Sequence, residues 1–233
     1  MPLPARLPEF PVSAAAPPGR TPALYLHGFA SSPGSTKARY FGERLAAHHV
    51  ALTTPDFNEP DFTTLTMSRM LEQLEREIAG VGGRAMLMGS SLGAALAILG
   101  AARLGTAVSA LVLFAPAVMF ARPGHSLLPP ERIDEWKRRG ALPFFHYAYG
   151  EERLLGYEFY TDSLRHDSFE VRFSQPTLIF QGLQDTIVDS RTVEQFAKQR
   201  NNVTLSLLDD DHQLLQSLPR MWSGVEDFLG LHD

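Results

Sequence analysis

The apolar runs of this chain are short, continuous and separated by segments of helical period, and no other feature restricts the fold as tightly. Ala23–Leu26, Val50–Thr53, Arg84–Met88, Ala110–Phe114, Thr177–Phe180 and Val203–Leu208 read as strands. Between them, Ser35–His48 spaces Phe41 and Leu45 four apart. Thr64–Ala79 sets Leu65, Met67, Leu71, Leu74 and Ile78 largely on one face, and Gly80, Gly82 and Gly83 close that helix. A third helix, Leu92–Leu104, is apolar nearly all round and is expected to be buried. Glu194–Arg200 and Leu214–Leu229 supply the last two. Strands apolar on both faces and alternating with helices imply an α/β fold: a mostly parallel central sheet with helices on both faces.

At 233 residues the chain is long enough for one such domain with a full core. Lys and Arg number 21 and Asp and Glu 26, a net charge of −5, and the basic clusters are short, such as Lys137-Arg138-Arg139. No nucleic-acid partner is expected from that balance. Cysteine is absent, which removes disulfides, thiolate nucleophiles and cysteine metal sites. No apolar run approaches the roughly 18 to 20 residues of a membrane span. Residues 1–20 form a Pro/Ala-rich segment in which Pro4, Pro8, Pro11, Pro17 and Pro18 interrupt any apolar stretch. Such a segment does not resemble a secretory signal, and a cytoplasmic location is expected.

The rhythm breaks between residues 118 and 174. This stretch is dense in aromatics, including Phe120, Phe145, Tyr149 and Tyr157, and it carries one charged helix around Glu131–Arg139. An insertion of this length between two core strands reads as a helical, aromatic lid over the functional face. The expected division is a tail, 1–20, a core built from 21–117 and 175–233, and a lid, 118–174. Trp136, Phe144 and Tyr147 are the candidate substrate-binding residues of the lid. An aromatic lid surface also suits a dimer contact, which leaves monomer and homodimer both open.

Chemistry enters at Gly89-Ser90-Ser91-Leu92-Gly93. The pattern G-x-S-x-G is common by chance, but here it follows an expected strand and opens an expected helix, the context that a nucleophile elbow requires. The turn is too tight for much beyond glycine at its flanks, and the helix N-terminus favours developing negative charge. Ser91 is therefore the candidate nucleophile; Ser90, the rival, lacks glycine two positions away on both sides. A serine hydroxyl needs a base, and in this fold the expected chain order is serine, acid, histidine. Only His212 and His232 lie beyond the last expected strand. His212 follows it directly, in Asp209-Asp210-Asp211-His212, and is the candidate base, while His232 sits beside the terminus. Asp185, on the loop leaving Thr177–Phe180, is the candidate acid, ahead of Asp189 and Asp209–Asp211. The turn His27-Gly28-Phe29 after the first strand can aim a backbone N–H at a carbonyl oxygen. The amides of Phe29 and Leu92 are the candidate oxyanion-hole donors. His27 and Gly28 join Phe29 as candidate substrate-contacting residues, with His27 itself expected to be a hydrogen-bonding residue of the loop.

On these residues the chain resembles the α/β-hydrolase superfamily outside the tail and the lid. Leu26-His27-Gly28-Phe29 with Ser31-Ser32-Pro33, followed by Gly89-Ser90-Ser91-Leu92-Gly93, is similar to small bacterial serine esterases and thioesterases. The resemblance implies Ser91, Asp185 and His212 as a triad and the amides of Phe29 and Leu92 as the oxyanion hole. It also implies hydrolysis of a small-molecule carboxylic ester or thioester through an acyl-enzyme, with no cofactor. The long aromatic insertion and the triple aspartate before His212 depart from that group. The same triad serves carbon–carbon bond hydrolases and acyltransferases, and a non-catalytic receptor would have no need of all three residues.

Two further signals carry no chemistry of their own. Pro33-Gly34-Ser35-Thr36-Lys37 lacks the order of a phosphate loop and reads as a turn with a Ser or Thr helix cap, Lys37 being a solvated helix residue. His48-His49 and His146 have no partners at metal-ligand spacing, so no metal is expected.

Overall fold

A computed structural model describes residues 21–120, 122 and 128–232; the Pro/Ala-rich tail of 1–20 lies outside them. Strands β1 (Ala23–Leu26), β2 (Leu52–Thr53), β3 (Ala85–Ser90), β4 (Val108–Phe114), β7 (Thr177–Gly182) and β8 (Val203–Leu208) form a single sheet in the order β2-β1-β3-β4-β7-β8. Every pairing in it is parallel. Period-2 geometry divides the strand residues between two cores. Leu24, Leu26, Leu87, Leu111, Leu113 and Ile179 face one, and Tyr25, Met86, Met88, Val112, Phe114 and Phe180 face the other.

Helices α1 (Thr36–Ala47) and α7 (Leu218–Leu229) cover the second face, through Phe41, Leu45, Met221 and Val225. Helices α2 (Met67–Gly80), α3 (Leu92–Leu104) and α6 (Ser190–Lys198) cover the first. Each begins where local chemistry allows. The Thr66 hydroxyl caps α2 through Arg69 N, Ser35 caps α1 through Ala38 N, and the Asp189 carboxylate caps α6 through Arg191 N. Helix α7 starts four residues later than its apolar period suggests, because Pro219 suits only a first turn and Leu214 has a left-handed φ of 56°.

The insertion is not purely helical. Between β4 and β7 lie α4 (Pro130–Arg139), an antiparallel hairpin of β5 (Ala141–His146) and β6 (Glu151–Gly156), and α5 (Glu158–Ser163). Alternation explains the hairpin: Leu142 and His146 are buried, while Phe145 between them is exposed. Trp136, the buried residue of α4, donates its indole N–H to the Leu155 carbonyl at 2.8 Å, fixing helix to hairpin. The hairpin is also tied to the loop after β1, where Tyr147 N donates to the Ala30 carbonyl at 2.9 Å.

Strand β1 and strand β3 are neighbours, but the chain leaves β1 toward β2 on one side and β3 toward β4 on the other. That reversal opens a crevice at the carboxyl ends of the two strands, the usual place for a ligand in an open α/β sheet. The loops bearing His27-Gly28-Phe29 and Ser91 both start there.

Candidate active site

Ser91 stands between β3 and α3 with φ 53° and ψ −113°, a backbone conformation that a side-chain-bearing residue rarely adopts. The surroundings hold it there. Its N–H donates to the Phe114 carbonyl on β4 at 2.9 Å, and its own carbonyl accepts from Ala94, Ala95 and Ala117. The flanking glycines are steric necessities. A Cβ at Gly89 would lie 2.5 Å from the Gly93 carbonyl oxygen, and one at Gly93 would run into the carbonyls of Leu26 and His27. Non-glycine residues with left-handed φ concentrate at this end of the sheet. Ala30, Ser91, Ala115 and Leu214 belong to loops that leave β1, β3, β4 and β8; His49 lies elsewhere.

The loop after β1 comes up beside the serine. A Cβ on Gly28 would sit 3.6 Å from Ser91 Cβ, so the Gly28–Phe29 peptide runs alongside the hydroxyl. Neither the Phe29 nor the Leu92 amide donates to a protein acceptor among the described residues. His27 is turned away from the cavity. Its Nε2 accepts from Phe57 N at 3.0 Å, and its Nδ1 is 2.9 Å from the Gly28 carbonyl, which places the proton on Nδ1. The buried ring holds the loop and is not part of the lining of the cavity beside Ser91.

Asp185 and His212 are brought together from the loops after β7 and β8. Oδ2 of Asp185 is 2.8 Å from His212 Nδ1 and also accepts from Gln181 Nε2 at 2.9 Å. Its Oδ1 accepts from the amides of Ile187 and Val188, each at 2.8 Å. Burial works to raise this carboxyl's pKa. The His212 hydrogen bond, the Val188 amide, the charge of His212 and the Ile187 amide outweigh it and hold the group below the usual carboxylate range. The rival residues are otherwise engaged. Asp189 caps α6 and pairs with Arg191, Ser90 is buried in the sheet, and His232 pairs with Asp227 on the surface. The Ser91 hydroxyl makes no hydrogen bond among the described residues.

The loops that carry Asp185 and His212 are laced together. Leu183 N donates to the Leu208 carbonyl and Gln184 N to that of Asp210, and a Cβ at Gly182 would come within 2.5 Å of the Asp210 and Asp211 carbonyls. Of the triple aspartate, Asp209 and Asp211 are exposed, as a solvated acidic loop would have them, and only Asp210 departs from that. Asp210 is buried and accepts from Asp211 N and Ser217 N, while Asp211 Oδ1 accepts from Gln213 N. Lys37 likewise departs from the solvated role expected of it. It is 6% exposed and donates to the Gln213 carbonyl at 2.6 Å.

A cavity of about 280 Å³ opens beside Ser91. Phe29, Leu92 and Ala117 line it from the core, Val118, Met119, Trp136, Phe144, Leu155, Phe159 and Tyr160 from the insertion, and Ile187, Val188 and Asp189 from the loop after β7. Phe29 bridges the two parts, with its ring 5.5 Å from Phe144 edge-on and 5.7 Å from Phe159. Tyr147 does not belong to this lining. It stands in the turn that follows β5, 76% exposed, three residues beyond Phe144.

Sheet order, elbow and crevice define the α/β-hydrolase fold. Solved structures with this fold include a protein of Agrobacterium vitis S4, with TM-score 0.80, 24% identity, and coverage of 93% of this chain and 91% of that one. Est1E from Butyrivibrio proteoclasticus with bound ferulic acid gives TM-score 0.75, 21% identity and coverage of 91% and 89%. Alpha/beta hydrolase domain-containing protein 10 from mouse gives 0.76, 20%, and 94% and 92%. No curated protein matches the sequence. The chain belongs to the uncharacterised protein family UPF0227, whose model matches residues 22–229. No helix among the described residues is long and apolar enough to cross a membrane.

Proposed function

We propose that the chain is a serine hydrolase that cleaves carboxylic esters or thioesters of a small apolar acyl or aryl group through an acyl-enzyme. The observation that carries this reading is a serine on a strained elbow, lining an apolar cavity, with a half-buried Asp185–His212 pair on the same edge of the sheet. With Nδ1–H given to Asp185, His212 keeps the Nε2 lone pair for the Ser91 proton as the hydroxyl attacks the carbonyl. The uncommitted amides of Phe29 and Leu92 receive the oxyanion. Protonated His212 then donates to the leaving alkoxide or thiolate, and water repeats the sequence on the acyl-enzyme.

Residues 118–174 act as the lid in this reading, and their aromatic side chains supply the wall against which the acyl group packs. The volume, about 280 Å³, lies just below the usual range for ligand sites, roughly 300 to 1,000 Å³. Hydrolysis of p-nitrophenyl acetate, butyrate, octanoate and palmitate, with matching acyl thioesters, tests the reading. Turnover should rise from acetate to the medium chains and fall at palmitate. Absence of turnover across both series would remove it and leave carbon–carbon bond hydrolysis as the chemistry to examine.

A further inference from the structure

Lys37 is the second residue of α1, the helix that leaves the Phe29 loop, and its side chain is buried. Its ammonium spans 176 positions of sequence to donate to the Gln213 carbonyl, one residue beyond His212. The loop it reaches is otherwise held by its own aspartates: Asp211 accepts from Gln213 N, and Asp210 from Ser217 N. The next residue, Leu214, has a left-handed φ of 56°, a conformation that persists only where the surroundings over-determine it. We infer that Lys37 is a positioning residue, whose ammonium clamps the His212 loop to α1 and so fixes the imidazole relative to Ser91 and the Phe29 amide.

The inference rests on the proposed triad. A plain structural role would make Lys37 a contributor to stability, and the electrostatics speak against that. Burial lowers its pKa to about 8, against the opposing pull of Asp211, Asp210 and Asp185. A lysine depressed in this way is a cost to the folded state while charged, since the native protein binds that proton less tightly than the unfolded chain. The titratable groups facing it are those three carboxylates, Asp210 and Asp211 from the His212 loop and Asp185 from the loop after β7. Above its pKa the clamp loses its charge and Gln213 is held by a neutral amine.

The test compares wild type with Lys37→Met and Lys37→Arg on p-nitrophenyl butyrate, with Ser91→Ala beside them. Lys37→Met should lower kcat by about 10- to 100-fold, the scale of a misplaced catalytic group. KM should stay within about threefold, and the melting temperature should be unchanged or raised, because the substitution removes the cost of a buried ammonium while Gln213 is exposed to water. Wild-type kcat should fall above about pH 8, and in Lys37→Arg that fall should move to higher pH, because guanidinium stays charged. A kcat for Lys37→Met within about twofold of wild type, with turnover still dependent on Ser91, overturns the role of Lys37 alone; the scale for comparison is the misplacement penalty above. Full activity in Ser91→Ala overturns the triad and this inference with it. If Lys37→Met does not fold, the alkaline limb decides: the same limb in wild type and Lys37→Arg overturns the inference.

Discussion

His212 Nδ1 and Gln181 Nε2 converge on one oxygen of Asp185, at 2.8 and 2.9 Å, while two backbone amides occupy the other oxygen. The carboxylate is thus saturated by donors, and any replacement that brings a donor of its own disturbs the imidazole.

Asp185→Asn does this with little change of shape. Its amide oxygen can keep the Ile187 and Val188 amides, which leaves its NH₂ facing His212 and Gln181. His212 must then present a lone pair at Nδ1 and carry its proton on Nε2, where it cannot accept from Ser91. The expected fall in kcat is about 10⁴, the scale of the same change in enzymes that use a Ser-His-Asp triad. Steady-state kinetics on an ester substrate measure it, and a variant within tenfold, roughly 1.4 kcal/mol, would show that Asp185 does not set the tautomer.

Acid stability follows from the same bonds. Asp185 has its pKa lowered on folding, so the unfolded chain binds that proton more readily. Its contribution is fully present above the unfolded value of about 3.9 and is lost as pH falls through the lower folded value. Asp185→Asn should therefore lose less stability than wild type on acidification through that window, as followed by urea midpoints at a series of pH values.

Phe144 and Tyr147 lie three residues apart on one hairpin, with opposite surroundings. Phe144→Ala removes part of the cavity wall and should raise KM for the octanoate ester by about tenfold, the worth of roughly 1.4 kcal/mol of apolar contact. Tyr147→Ala should leave KM within about twofold, because an exposed ring buries little on binding. Equal effects would move the acyl site away from the cavity beside Ser91.

The glycines give a contrast in stability. Gly93→Ala would press a methyl group into the Leu26 and His27 carbonyls and should destabilise by about 3 kcal/mol or more. Gly80, at the end of α2, has open space around it, and Gly80→Ala should stabilise by about 0.5 to 1 kcal/mol. Thermal unfolding of both distinguishes them by sign.

What was legible in the sequence is what local pattern dictates. The strand runs and the helix after Ser91 follow from continuous apolar period, and Gly89 and Gly93 mark a turn that tolerates no Cβ. The hairpin was not legible, because Leu142, Phe144 and His146 alternate inside a stretch whose charge and aromatics look helical. Nor was Tyr147's exposure, which depends on β5 ending at His146 and the chain turning there. Lys37 and Asp210 are polar residues beside turns, where solvation is the ordinary outcome; their burial comes from α1 and the loop after β8 meeting across the sheet. Gln181, a single polar residue at the end of an apolar strand, gives no sign in sequence that it will hold the Asp185 carboxylate.

The most direct measurement of the central claim is the intact mass of the protein after exposure to a fluorophosphonate, with the modified peptide mapped, for wild type and Ser91→Ala. Wild type should gain a single phosphonyl group on Ser91, with ester hydrolysis lost in step, and Ser91→Ala should gain none and turn over no ester. Modification of another serine, or an unmodified wild type that still hydrolyses ester, would contradict the assignment of Ser91 as nucleophile.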